Sequence, residues 1–129
     1  MKDNKVLISS YGSLRLGEYN YNRFKQLFGE DFNYVKTSSI AGFNLYDLGS
    51  YPGLKIARSN EDKVIVDILE VSQKCFDYIE SMEHGAGYST IQVTDELGDK
   101  YLAYLYEHSC NNLVESGDWS KYLKIGQAV

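Results

Sequence analysis

Residues 63–83 read KVIVDILEVSQKCFDYIESME, and this stretch decides the fold class. Lys63 to Val71 is a near-continuous β-branched and aliphatic run interrupted by Asp67 and Glu70, which predicts a buried strand. Ser72 follows as an N-cap, because its hydroxyl can accept from the free amides of a first helical turn. Cys75, Phe76, Ile79 and Met82 then recur at helical spacing, and the helix is expected to end near Glu83-His84-Gly85. A strand feeding directly into an amphipathic helix points to a mixed architecture.

The same reading extends in both directions. Upstream, Lys5 to Ser10 predicts a strand that stops at Tyr11-Gly12-Ser13. Tyr19 to Phe28 carries Tyr21, Phe24, Leu27 and Phe28 at helical spacing, with Gly29 as its stop. Tyr34 to Arg58 predicts short strands cut by Gly42, Gly49 and a turn at Tyr51-Pro52-Gly53. Downstream, Tyr88 to Thr94 and Lys100 to Glu107 alternate as a hairpin closed by residues 96–99, and Asp118 to Lys124 forms a short helix. The expectation is an α+β fold, a small, mostly antiparallel sheet or barrel with peripheral helices, forming a single domain over residues 1–129.

Composition narrows the function classes. With 13 Lys and Arg against 18 Asp and Glu, the net charge is −5, which gives no footprint for a nucleic-acid backbone or an anionic membrane. No apolar run approaches the roughly 20 residues of a membrane span, and Val6-Leu7-Ile8 is too short for a signal peptide's apolar region. Cys75 and Cys110 match no zinc or redox spacing, and His84 and His108 add no ligand cluster, so no metal is expected. Two unpaired cysteines in a chain long enough to hold a core read as reduced thiols in a cytoplasm. Twelve tyrosines suit half-buried strands and a pocket wall facing a polar ligand.

Two segments are candidates for chemistry. In Ser10-Tyr11-Gly12-Ser13-Leu14-Arg15-Leu16-Gly17, a glycine just past a buried strand lets successive N–H groups line an anion-binding concavity. The plainer reading, which the pattern alone favours, is an ordinary strand exit. Glu83, at a helix end beside the core, would have its pKa raised by the helix dipole and by partial burial, toward acid–base use. The plainer reading is a solvated glutamate. Ser13 lacks a histidine and acid partner at informative positions, which argues against a serine hydrolase.

Taken together, these segments resemble the gamma-glutamyl cyclotransferase-like family. Tyr11-Gly12-Ser13-Leu14-Arg15-Leu16-Gly17-Glu18-Tyr19-Asn20 is similar to the family's turn after the first strand. Ile79-Glu80-Ser81-Met82-Glu83 followed by Tyr88 is similar to its catalytic-glutamate segment, and Gly49-Ser50-Tyr51-Pro52-Gly53 to its central turn. The match runs from Val6 to Glu107. Two positions depart from the family's pattern: Glu80 stands where aspartate is usual, and Thr90 where many members have arginine.

The resemblance implies a small β-barrel with helices around it. It also implies intramolecular aminolysis that releases 5-oxoproline from a γ-glutamyl substrate, with no metal or organic cofactor. Glu83 would be the acid–base group. Tyr11, Gly12, Ser13, Leu14 and Arg15 would bind substrate, chiefly through backbone amides, and Tyr88 would line the pocket. The wording of the turn is more similar to the branch holding γ-glutamylamine cyclotransferases than to the glutathione-pathway enzymes. The alternative is a non-catalytic member that holds a small anionic metabolite or nucleotide in the same pocket. The missing arginine favours that alternative, and the retained Glu83 favours the enzyme.

Overall fold

The computed structural model describes residues 5–127; the expected domain span of 1–129 includes residues 1–4 and 128–129, which lie outside the described residues. Strand β5 (Lys63–Ser72) organises the sheet. It is flanked on both edges by antiparallel partners, β1 (Lys5–Ser10) and β2 (Phe32–Ala41). Val64, Val66, Ile68, Leu69 and Val71 are fully buried, which is why this strand is almost continuously apolar. Removing each such side chain from water contributes roughly 1.5–3 kcal/mol. Ser72 Oγ accepts from the Cys75 amide at 3.1 Å and opens helix α2 (Gln73–Gly85), as the sequence predicts.

Strands β6 (Tyr88–Thr94) and β7 (Lys100–Tyr106) form the expected hairpin. Asp95 Oδ1 fixes its turn by accepting from the amides of Leu97 and Asp99, each at 3.0 Å. The far end of the hairpin then meets β2 through an Ile40–Asp95 bridge and a 3.1 Å bond from the Glu96 amide to the Ser39 carbonyl. The sheet is thereby curled into a half-barrel. Strands β3 (Phe43–Asp47), β4 (Pro52–Ile56) and β8 (Leu113–Val114) extend it on the other side. Helix α1 (Tyr19–Phe28) packs on β2, and α2 packs on β6, β5 and β1. Helix α3 (Trp119–Gln127) follows, with the Asp118 carboxylate accepting from the Lys121 amide at its start. The α+β expectation, a mostly antiparallel sheet curling toward a barrel with helices at its periphery, matches this architecture.

One local reading needs correction. Pro52-Gly53 is not the turn; these residues begin β4, paired with Asp47 and Tyr46. The turn is residues 48–51, closed by the Leu48 amide on the Tyr51 carbonyl at 3.0 Å, with Gly49 at φ 118. Proline is tolerated as the first residue of a strand, where its missing N–H costs no ladder bond. Strand β8 was not foreseen, since two residues carry no periodicity. None of the described helices is long and apolar enough to cross a membrane.

Candidate active site

The site lies where two strands share one neighbour. Strand β7 runs parallel to β1 at Ile8–Leu102 and parallel to β4 at Leu54–Leu105. Strand β1 leaves the sheet after Ser10 and β4 begins at Pro52, so a crevice opens beside the middle of β7. The turn Tyr11–Arg15 fills its rim. It is closed by the Arg15 amide on the Gly12 carbonyl at 2.9 Å and tied to α1 by the Tyr21 amide on the Ser13 carbonyl at 3.0 Å. Asn20 Nδ2 donates to Ser13 Oγ at 2.7 Å. Among the described residues, the amides of Gly12, Ser13 and Leu14 have no hydrogen-bond partner. Unpaired N–H groups on one turn are the donor set that an anion needs.

Gly12 is required here by close approach, not by positive φ. A Cβ at this position would stand 2.6 Å from Pro52 Cγ and 2.9 Å from Pro52 Cδ. The contact locks the turn against β4. Two tyrosines brace the same region: Tyr88 donates to the Pro52 carbonyl at 2.6 Å, and Tyr11 donates to the Tyr104 carbonyl at 2.8 Å. Both hydroxyls are thus spent on the framework, while their rings wall the cavity.

The cavity has a volume of about 200 Å³ and is lined by residues 8–14 together with Asn20, Tyr51, Pro52, Met82, Glu83, Ala86, Tyr88 and Tyr104. It is smaller than the roughly 300–1,000 Å³ of pockets that enclose drug-sized ligands. A single amino-acid-sized group suits it, with any larger attachment left outside. Glu83, on the last turn of α2, is half-buried at its wall. Burial first, and the charge of Glu80 second, push its carboxyl up to about 7. Glu80 is itself held in place, with Oε2 accepting from Thr90 Oγ1 at 2.5 Å and lying 3.2 Å from His84 Nε2.

Of the residues singled out from the sequence, Tyr11, Gly12, Ser13, Leu14, Glu83 and Tyr88 come together around this cavity. Arg15 does not. Its Nε donates to Asp67 Oδ2 at 3.2 Å and its Nη1 to Asp118 Oδ1 at 2.6 Å, away from the cavity lining. Asp67, 2% exposed, needs that cation, and it also accepts from the Leu16 amide at 2.8 Å and from Thr37 Oγ1 at 2.7 Å. Arg15 therefore anchors the turn to β5. Thr90, one of the two positions noted above as departing from the resembled pattern, bonds Glu80 and does not line the cavity. Of Tyr101, Tyr104 and Tyr106, which the sequence offers as sheet packing with one hydroxyl able to reach a pocket, Tyr104 lines the cavity; sequence reasoning missed Ser9. Among the described residues, no group of three or more His, Cys, Asp or Glu could hold a metal ion.

The chain is similar to known proteins in sequence and in fold. The sequence model of the family described as gamma-glutamyl cyclotransferase, AIG2-like, matches residues 8–121. A Pyrococcus horikoshii protein named "Putative gamma-glutamylcyclotransferase" is 28% identical over 122 residues, covering 93% of this chain and 96% of that protein. A Vibrio cholerae protein of the same name is 30% identical over 117 residues, covering 88% and 94%. The crystal structure of the Pyrococcus protein superposes with a TM-score of 0.77 at 22% identity, covering 95% of this chain and 97% of that one. The chain belongs to the gamma-glutamyl cyclotransferase, AIG2-like family.

Proposed function

We propose that this protein is a γ-glutamyl cyclotransferase that converts a γ-glutamyl amine or amide into 5-oxoproline and the free amine or amino acid. One observation carries the reading: a carboxyl raised to about 7 borders a small cavity that is also lined by a turn with three unpaired amides. The substrate supplies its own nucleophile. Its α-amine is mostly ammonium at neutral pH and cannot attack until a base removes a proton. With a pKa near neutrality, Glu83 is roughly half ionised at pH 7, which serves both to take that proton and to return it. A new bond forms from the α-nitrogen to the γ-carbon. The γ-carbon to leaving-nitrogen bond then breaks as the proton held on Glu83 passes to the leaving nitrogen; the carboxylate so freed takes the second proton that the ring nitrogen sheds and passes it to the departing amine, which leaves as an ammonium. The amides of Gly12, Ser13 and Leu14 suit the α-carboxylate, folding the glutamyl chain into a ring-like pose. The leaving group projects from the cavity, consistent with its small volume.

The non-catalytic alternative draws on Thr90, whose hydroxyl serves Glu80 where many relatives would place a cation. A carboxylate beside the anion's seat would weaken such a binder, and this favours the enzyme. The test is incubation with γ-glutamyl amines, γ-glutamyl dipeptides and glutathione, with quantitation of 5-oxoproline, free glutamate and amine. The proposal expects 5-oxoproline and amine in equal amounts from at least one substrate. Free glutamate in place of 5-oxoproline would make the protein a hydrolase, and no release from any substrate would make it a binding protein.

A further inference from the structure

The cavity wall holds a hydroxyl that the framework does not use. Among the described residues, two buried side-chain polar atoms lack any hydrogen-bond partner, Tyr104 Oη and Ser9 Oγ, and both residues line the cavity. Tyr104 is 5% exposed. An unpaired buried hydroxyl is destabilising, so its retention in a folded site calls for a partner that arrives from outside. Its nearest carboxylate, Glu80, has Oε2 engaged by Thr90 and His84 and makes no hydrogen bond of good geometry with the phenol.

The phenol also keeps its proton. Burial, then the adjoining Glu80 carboxylate and the charge of Glu83, push it far above the usual tyrosine range. At neutral pH it is a donor that Glu80, though close enough to raise its pKa, does not meet in hydrogen-bond geometry. A ligand oxygen in the cavity supplies the well-placed acceptor that the protein lacks. A γ-glutamyl group has two kinds of acceptor oxygen, on the α-carboxylate and on the γ-carbonyl. The unpaired amides of Gly12 to Leu14 provide for the first. Glu83 must reach both nitrogens that flank the γ-carbon, and its charge is felt at Tyr104. The acceptor nearest that reacting centre is the γ-carbonyl oxygen.

We infer that Tyr104 donates a hydrogen bond to the γ-carbonyl oxygen and holds it as negative charge develops there. This rests on the cyclotransferase reading. As the α-nitrogen bonds to the γ-carbon, the carbonyl π electrons move onto oxygen. Tyr104 keeps its proton throughout and strengthens its hydrogen bond to that oxygen. Glu83 is neutral at that moment, having just taken the ammonium proton, so no second negative charge opposes the oxyanion from that side. On collapse the electron pair returns to the carbonyl, and the leaving nitrogen takes its proton from Glu83.

The experiment is steady-state kinetics of Tyr104→Phe, following 5-oxoproline release and separating kcat from KM, with the thermal midpoint of the ligand-free protein measured alongside. Loss of one oxyanion donor lowers kcat about 10²-fold and changes KM little. Removing an unpaired buried hydroxyl leaves the midpoint unchanged or raises it. A kcat within threefold of wild type, a rise in KM alone, or a lowered midpoint that accounts for the lost activity would each overturn the assignment. In those cases release by the wild-type protein would leave the cyclotransferase reading standing. Absence of release by the wild-type protein would instead remove that reading, and the role of Tyr104 with it.

Discussion

Replacing Arg15 with leucine separates a structural from a substrate-binding role for that residue. Arg15 and Asp67 are 8% and 2% exposed and joined at 3.2 Å. The substitution leaves the Asp67 carboxylate buried with two hydrogen-bond donors, the Leu16 amide and the Thr37 hydroxyl, and no cation. Breaking one partner of a buried pair costs about 3–5 kcal/mol. The second contact, to the quarter-exposed Asp118, adds at most about 1 kcal/mol. A domain of this size has about 5–15 kcal/mol in total. With each kcal/mol shifting the midpoint by about 3–5 °C at this length, Arg15→Leu should melt roughly 10–30 °C lower. Adding Asp67→Asn removes the uncompensated charge but keeps its acceptor oxygen, and should recover more than about 1 kcal/mol. Urea denaturation at pH 7 measures all three proteins. A loss under 1 kcal/mol, accompanied by weakened substrate binding, would refute the structural role and return Arg15 to the substrate.

Three further outcomes follow from the same geometry. Gly12→Ala drives a methyl into the Pro52 ring, so the turn or β4 must shift, and 5-oxoproline release should fall at least tenfold; an unchanged rate would show that the clamp is dispensable. The Glu83 carboxyl binds its proton more tightly folded than unfolded, with a pKa of about 7 against an ordinary 4.5. Its ionisation therefore penalises the fold: the penalty is absent below about pH 4.5, grows as the pH rises, and is complete above about 7. Glu83→Gln should accordingly gain stability on wild type between pH 5 and 8, by a few kcal/mol at most, and parallel denaturation curves at the two pH values would contradict this. Cys75 is fully buried and pushed up to about 12, so it should resist thiol reagents at pH 8 until the protein is unfolded.

What the sequence made legible was the local physics. Strand β5, the Ser72 cap and the α2 stripe were readable because burial on a strand and spacing on a helix repeat over a few residues. Pro52-Gly53 misled because its turn signal is local, whereas pairing with Asp47 and Tyr46 set its actual role. Arg15 looked available to a ligand because its partner Asp67 lies 52 positions away and reads only as an interruption of an apolar run. The raised pKa of Glu83 was foreseen in direction and in one cause, burial; the second cause on the folded protein is the charge of Glu80. Tyr104 could not be singled out among the tyrosines of β7, because an unpaired hydroxyl is a property of the packed site.

The central claim is that Glu83 moves the proton that makes cyclisation possible. The direct measurement is the rate of 5-oxoproline formation by wild type and Glu83→Gln, each at a temperature where circular dichroism shows it fully folded. The account predicts loss of about three orders of magnitude or more in the variant, at the upper end of what one proton-transferring group contributes. Equal turnover by a folded Glu83→Gln protein would contradict it and remove Glu83 from the mechanism.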